Sequence, residues 1–302
     1  MYTNIIIQGG DFMTINNPLR YPGAKSKLVP YIKKLIETEK LTNCTLYEPY
    51  AGSAAVSLAL LESETISKAV INELDPLIYC FWKSVMNDTD NLIDLIEKVD
   101  ITLDNWIYYS QYKDSSYIEN KSTLEIGFAG LYLNRTSFSG ILNANPLGGM
   151  KQQSQYKIDC RFNKKRIIKS IRELSRYSDK IEIYNMDAIK FLKEKTKYKR
   201  NRKTFVYIDP PYYKKGPSLY RYFYDGDMHK ELAKFIKTKS YPWLISYDDQ
   251  PEIKKLYRHS QKQHIYLDYS VNTHAPGREL LLSNLEIPPM EDVDISRDNL
   301  LG

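Results

Sequence analysis

Cysteine is scarce in this 302-residue chain: Cys44, Cys80 and Cys160 lie far apart and form no CxxC pair. That excludes a disulfide framework and a cysteine-rich zinc site, and fits a reducing, cytoplasmic setting. Histidine is equally sparse, with four residues and no HxxxH spacing, so none is assigned to a metal. No apolar run approaches the ~18 residues of a membrane-spanning helix, so no membrane partner is expected. The opening MYTNIIIQGGDFM has neither the basic flank nor the apolar length of a signal peptide. GxGxxG and the P-loop lysine motif are both missing, which argues against a pyrophosphate or triphosphate ligand.

What is present is a soluble, globular composition, 42% hydrophobic and 26% charged, with a net charge of +6. The charge is uneven. Between Lys151 and Lys203 there are 18 Lys and Arg against 6 Asp and Glu, an excess of 12, while the residues after Pro288 are acidic. A basic block of that size points to a polyanion. The 26 tyrosines add flat side chains suited to stacking as well as to a core.

The chemistry gathers around Thr204–Tyr213. Thr204 to Ile208 has the composition of a buried strand. It stops at Asp209, followed by Pro210, Pro211 and Tyr212. Each proline keeps the residue before it extended and lacks an N–H. The turn therefore presents carbonyls, one carboxylate and an aromatic face, a donor-poor corner suited to an amino group on a flat ring. Upstream, Arg20-Tyr21-Pro22-Gly23-Ala24-Lys25 makes a turn before a helix with apolar residues at Leu28, Ile32, Leu35 and Ile36. Lys25 at a helix start is not helped by the helix dipole, so a ligand role is expected for it. Next, a strand ending at Glu48 runs through Tyr50-Ala51-Gly52-Ser53 into an Ala-rich helix. The following strand, Lys68 to Glu73, ends in an acid about 20 positions on, where a carboxylate can accept from ribose hydroxyls. Together they read as a site for an adenosine-containing ligand without phosphates.

β–α alternation resumes with strands ending at Asp187 and Asp209, then Trp243–Tyr247, and a closing pair near 263–267 and 279–284. Helices are expected at 76–85 and 91–99, then a Tyr/Ser-rich irregular stretch to 120. An apolar helix follows around 124–150, ending in Leu131–Gly140 with an Asn- and Gly-rich loop up to Met150, and, after the basic residues Arg161, Lys164, Lys165 and Arg166, a helix to about Tyr177. That middle region interrupts the alternation and reads as an insertion. The expected organisation is a weakly ordered leader at 1–12, with Met13 an alternative start, a catalytic domain from 13–80 and 178–287, an insertion at 81–177, and an acidic tail at 288–302.

The set PLRYPGAKSKL, YEPYAGSAAVSLAL, INELDP, NRTSFSG, NMD and YIDPPYY, in that order, resembles the Dam-like alpha group of DNA N6-adenine methyltransferases, as does the final GRELLLSN. The resemblance spans most of residues 18–285. It implies an α/β fold, a Rossmann-like seven-stranded S-adenosylmethionine-dependent methyltransferase sheet with a mainly helical target-recognition insertion. It also implies methyl transfer from S-adenosylmethionine to the N6 amino group of a flipped-out adenine in double-stranded DNA. Carried onto this sequence, Asp209, Pro210, Pro211 and Tyr212 would form the catalytic turn. Tyr21, Gly23, Lys25, Glu48, Tyr50, Ala51, Gly52, Ser53, Glu73, Asp187 and Asp209 would line the cofactor site, with Glu73 on the ribose and Asp187 at the cofactor's adenine. Asn134, Arg135, Thr136, Ser137, Phe138, Arg161, Lys164 and Lys165 would meet DNA. The first motif departs from the frequent KWAGGK, Glu73 stands where Asp is common, and Ser139 replaces a frequent Asn. A monomer is expected, and a cognate restriction enzyme is left open as a partner. Two other readings stand beside this one: an RNA adenine methyltransferase, and a DNA-binding regulator that keeps the cofactor without turnover.

Overall fold

The computed structural model describes residues 16–286 apart from 22, 198–202, 215 and 268–276. The expected leader 1–12, Met13 and the acidic tail 288–302 lie outside the described residues. Seven strands form one sheet: β1 (Cys44–Glu48), β2 (Ile66–Asn72), β3 (Ile181–Tyr184), β4 (Thr204–Ile208), β5 (Trp243–Asp248), β6 (Gln261–Leu267) and β7 (Gly277–Ser283). Their order is β3-β2-β1-β4-β5-β7-β6. The first five are parallel, and β7 runs antiparallel between β5 and β6. Every residue of β4 is buried, as a central parallel strand covered on both faces requires.

One face of the sheet packs on Val29–Thr38, Ala55–Glu62 and the helices of the middle region. The other packs on Ala188–Lys195, Gly226–Ile236 and Pro251–Leu256. β1 pairs with β2 on one side and β4 on the other. The chain thus leaves β1 in two directions, which opens a crevice at the carboxyl ends of these strands. Glu48, Glu73 and Asp209 all stand at that edge.

The expected irregular stretch before residue 120 is instead built of short helices, Leu103–Ser110 and Ser115–Ile118. Thr102 and Asp114 cap them by accepting from Asn105 and Ser116 N–H groups, and Tyr109 and Tyr112 pack into an aromatic cluster with Phe128 and Tyr132. Tertiary packing of tyrosines, which carry little helical periodicity, overrides local preference here. Thr123–Thr136 starts at a capping box of Ser122 and Glu125. It lies against Pro76–Asn87 so closely that a Cβ on Gly130 would sit 2.4 Å from the Leu77 carbonyl oxygen. The expected boundary between residues 80 and 81 falls inside Pro76–Asn87.

Candidate active site

The loop after β1 is shaped by Gly52, which has φ +49° and faces the Tyr21 ring; a Cβ there would lie 2.7 Å from Tyr21 Cε1. Its N–H donates to Glu73 Oε2 at 2.8 Å, and its carbonyl accepts from Trp82 Nε1 at 2.9 Å. Glu73 Oε1 accepts from the Asp75 N–H at 2.9 Å. Burial pushes the Glu73 carboxyl up to about 7 although these N–H groups favour its anion. Glu48, buried at the end of β1, accepts from the Ser57 hydroxyl, and burial raises it to about 8.

At the end of β4, Asp209 Oδ1 accepts from Ser246 Oγ at 2.8 Å and pairs with Lys25 Nζ at 3.0 Å. Burial raises the Asp209 carboxyl, opposed by the Lys25 charge and the Ser246 hydrogen bond. Lys25 is 3% exposed. It also donates to the Gly23 carbonyl at 2.9 Å and the Tyr212 hydroxyl at 3.1 Å. Tyr212 donates in turn to Glu279 Oε1 at 2.8 Å. The short 3-10 turn Lys25–Leu28 therefore points Lys25 inward, where it bridges the first motif to the Asp-Pro-Pro-Tyr turn.

These elements enclose a cavity of about 310 Å³. Tyr21, Gly23, Lys25, Glu48, Tyr50, Ala51, Gly52, Ser53, Glu73, Asp209 and Pro211 line it, so most of the expected cofactor set converges on one space. Pro210, Tyr212 and Asp187 do not line it. Tyr212 stands behind Gly23, its hydroxyl 3.2 Å from where a Gly23 Cβ would be. Asp187 caps Ala188–Lys195, accepting from the Lys190 N–H at 2.9 Å; its neighbour Ala188 reaches the cavity. Residues that the sequence reading left unassigned complete the wall: Asp75 and the segment Tyr220–Tyr224. The run Tyr220-Arg221-Tyr222-Phe223-Tyr224 was the available signal, a dense aromatic cluster without periodicity.

The residues expected at DNA divide into two groups. Asn134, Thr136 and Ser137 have no exposed surface. Asn134 accepts from the Arg20 N–H at 2.7 Å and donates to the Arg20 and Gly140 carbonyls at 2.7 and 3.0 Å. Thr136 donates to the Tyr132 carbonyl, and Ser137 accepts from Trp106 Nε1. Arg135 donates to the Pro18 and Asn17 carbonyls, and burial lowers it to about 10. These four hold the loop in place. Phe138, 51% exposed, stands out from them, and Arg161 and Lys165 are exposed on the same insertion. Lys164 donates to the Glu97 carbonyl at 2.9 Å.

A parallel sheet with an antiparallel β7, three carboxylates at the ends of adjacent strands and a glycine-floored cavity define a Rossmann-like α/β fold with a candidate site at the carboxyl edge of its sheet. Residues 21–272 match the family model described as D12 class N6 adenine-specific DNA methyltransferase, and the chain belongs to that family. It is an adenine-specific DNA methyltransferase. It is 24% identical over 290 residues to the type II methyltransferase M.MjaIII of Methanocaldococcus jannaschii, covering 90% of this chain and 85% of that one. A looser likeness, at 11% identity and TM-score 0.38, links it to the putative methyltransferase yhhF from Escherichia coli, over 93% of this chain and 98% of that one. Among the described residues no helix is long and apolar enough to cross a membrane, and all three cysteines are unpaired.

Proposed function

We propose that the cavity holds S-adenosylmethionine and that Asp209 receives the N6 amino group of an adenine flipped from double-stranded DNA. The observation that carries this is the joining of the Glu48–Ser53 loop, Glu73 and Asp209 around one space. The residues fit the cofactor. Ala51 and Gly52 let a flat nucleoside lie on backbone, Glu73 has lone pairs left for ribose hydroxyls, and carboxylates with tyrosine faces attract a cation. S-adenosylmethionine supplies a methyl group carried on a sulfonium.

The adenine amino nitrogen is a weak nucleophile because its lone pair is delocalised into the ring. Lys25 and Ser246 both act on Asp209 Oδ1, so Oδ2 is assigned to accept one amino hydrogen and the Pro210 carbonyl the other. Both bonds strengthen as positive charge develops on nitrogen, which lowers the barrier electrostatically. Lys25 opposes the burial that raises the Asp209 carboxyl and so favours its ionised form. Tyr212, anchored through its hydroxyl by Lys25 and Glu279, is the expected stacking face for the base. Flipping costs roughly a few kcal/mol, and stacking on an aromatic offsets about 1–3 kcal/mol of it. Phe138 and the exposed basic residues Arg161 and Lys165 are assigned to the duplex, where phosphate contacts position without reading sequence.

The test is Asp209→Ala, followed by isothermal titration with S-adenosylmethionine and a tritiated-methyl assay on unmethylated plasmid. Transfer should vanish while cofactor affinity stays within about tenfold. Retained transfer would sink the assignment of Asp209.

A further inference from the structure

We propose that Arg221 is a positioning residue for the cofactor: it pins the segment Tyr220–Tyr224 across the cavity by bridging Asp75 and the insertion. The proposal rests on the reading of that cavity as the cofactor site.

Apart from the Tyr220 N–H, which donates to the Gly216 carbonyl at 3.0 Å and closes the preceding turn, the segment lies outside helix and strand. Its ends rest on aromatic contacts. Tyr220 stacks with Tyr21, centroids 6.1 Å apart and planes at 27°, and Tyr224 meets Tyr50 edge-on at 5.5 Å. Tyr222 and Phe223 between them line the cavity yet are 40% and 47% exposed. They form an outer wall with solvent behind it, so something else must fix the wall's position.

Arg221 does so with both ends of its fork. Nη1 lies 2.8 Å from Asp75 Oδ1, and Nη2 donates to the Lys113 carbonyl at 2.6 Å. The pair is nearly dry, with the two side chains 11% and 9% exposed. Asp75 Oδ1 also accepts from the Leu77 N–H, and the Asp75 N–H donates to Glu73. A continuous chain of bonds thus runs Arg221–Asp75–Glu73–Gly52, from the outer wall to the cavity floor. The ion pair fixes the Asp75 side chain, and the backbone N–H of the same residue donates to Glu73, the carboxylate assigned to the ribose. The planar guanidinium can make both bonds at once, whereas a lysine ammonium on its flexible stem fits this paired geometry poorly.

Loosening the wall raises the rate at which cofactor leaves more than it alters the reacting groups at Asp209. The experiment uses the full-length protein as wild type, Arg221→Gln and Arg221→Lys. It measures S-adenosylmethionine Kd by titration and KM and kcat with saturating DNA. Wild type binds; Arg221→Gln raises Kd and cofactor KM about tenfold, with the rise in KM exceeding the fall in kcat; Arg221→Lys recovers part of the loss. An unchanged Kd in folded Arg221→Gln, or a fall in kcat at constant KM, overturns the proposal. Should Arg221→Gln not fold, Arg221→Lys gives the same reading: a Kd raised about threefold or more supports the role, and wild-type affinity overturns it. A wild-type protein that does not bind S-adenosylmethionine at all would instead overturn the reading of the cavity.

Discussion

Lys25 and Asp209 form an ion pair at 3.0 Å, with the lysine almost wholly buried. It joins the first motif to the catalytic turn. The sequence suggests a ligand-facing Lys25, but not that its nearest anion belongs to the protein.

Removing that charge leaves burial opposed only by the Ser246 hydrogen bond, so the Asp209 carboxyl moves further above the ordinary range. In Lys25→Met the acid limb of kcat/KM against pH should shift upward by about 1 unit or more, and part of the activity lost at pH 7 should return at pH 8.5. Ser246→Ala should move the limb in the same direction by less. A limb that stays in place would separate Lys25 from the ionisation of Asp209.

Glu48 gives a stability prediction. Its folded-state pKa, about 8, lies above its ordinary value of 4.5, so the native state holds a proton that the unfolded chain releases. Its contribution is complete below about pH 4.5 and is lost as pH rises through 8. Glu48→Gln keeps an acceptor for Ser57 and carries no charge. The Tm of the variant should therefore gain on that of wild type between pH 5.5 and pH 8.5, followed by circular dichroism; parallel curves would refute it.

Asn134 and Phe138, four residues apart, should behave oppositely. Asn134→Ala strands the part-buried Arg20 N–H, at about 1–3 kcal/mol, and should lower Tm by about 2–5 °C. Phe138→Ala should leave Tm within about 1 °C and raise KM for DNA. Titration of a short duplex beside a thermal melt distinguishes them.

Gly52→Ala forces a left-handed φ on a residue with a Cβ and drives that Cβ into the Tyr21 ring. A cost of about 1–3 kcal/mol is expected, together with loss of cofactor affinity, because Tyr21 must leave the cavity wall. A variant with native affinity by titration would show that the ring can move without consequence.

Much of this was legible in the chain. The parallel strands β1 to β4 are found where β-branched and aromatic runs lead to Glu48, Glu73, Asp187 and Asp209, because buried parallel strands leave a strong local signature. Pro76 and Asp75 likewise mark their helix start. Less legible were contacts that join distant segments. Nothing near Arg221 in sequence indicates Asp75, and NRTSFSG gives no sign that Asn134 faces inward while Phe138 faces out. The short helices after Thr102 depend on an aromatic cluster assembled from several elements, which no window of sequence contains.

The close contact at Gly130 has an evolutionary consequence. Helix Pro76–Asn87 begins at the Asp75 cap beside the cavity, and Thr123–Thr136 packs along it from Leu77 onward, so the sheet and the middle region share one core. Residues 81–177 therefore cannot be exchanged as a cassette without breaking that core; the donor's 76–87 must travel with them. Change is channelled to exposed positions such as Phe138 and Arg161, where substitutions leave that shared seam intact.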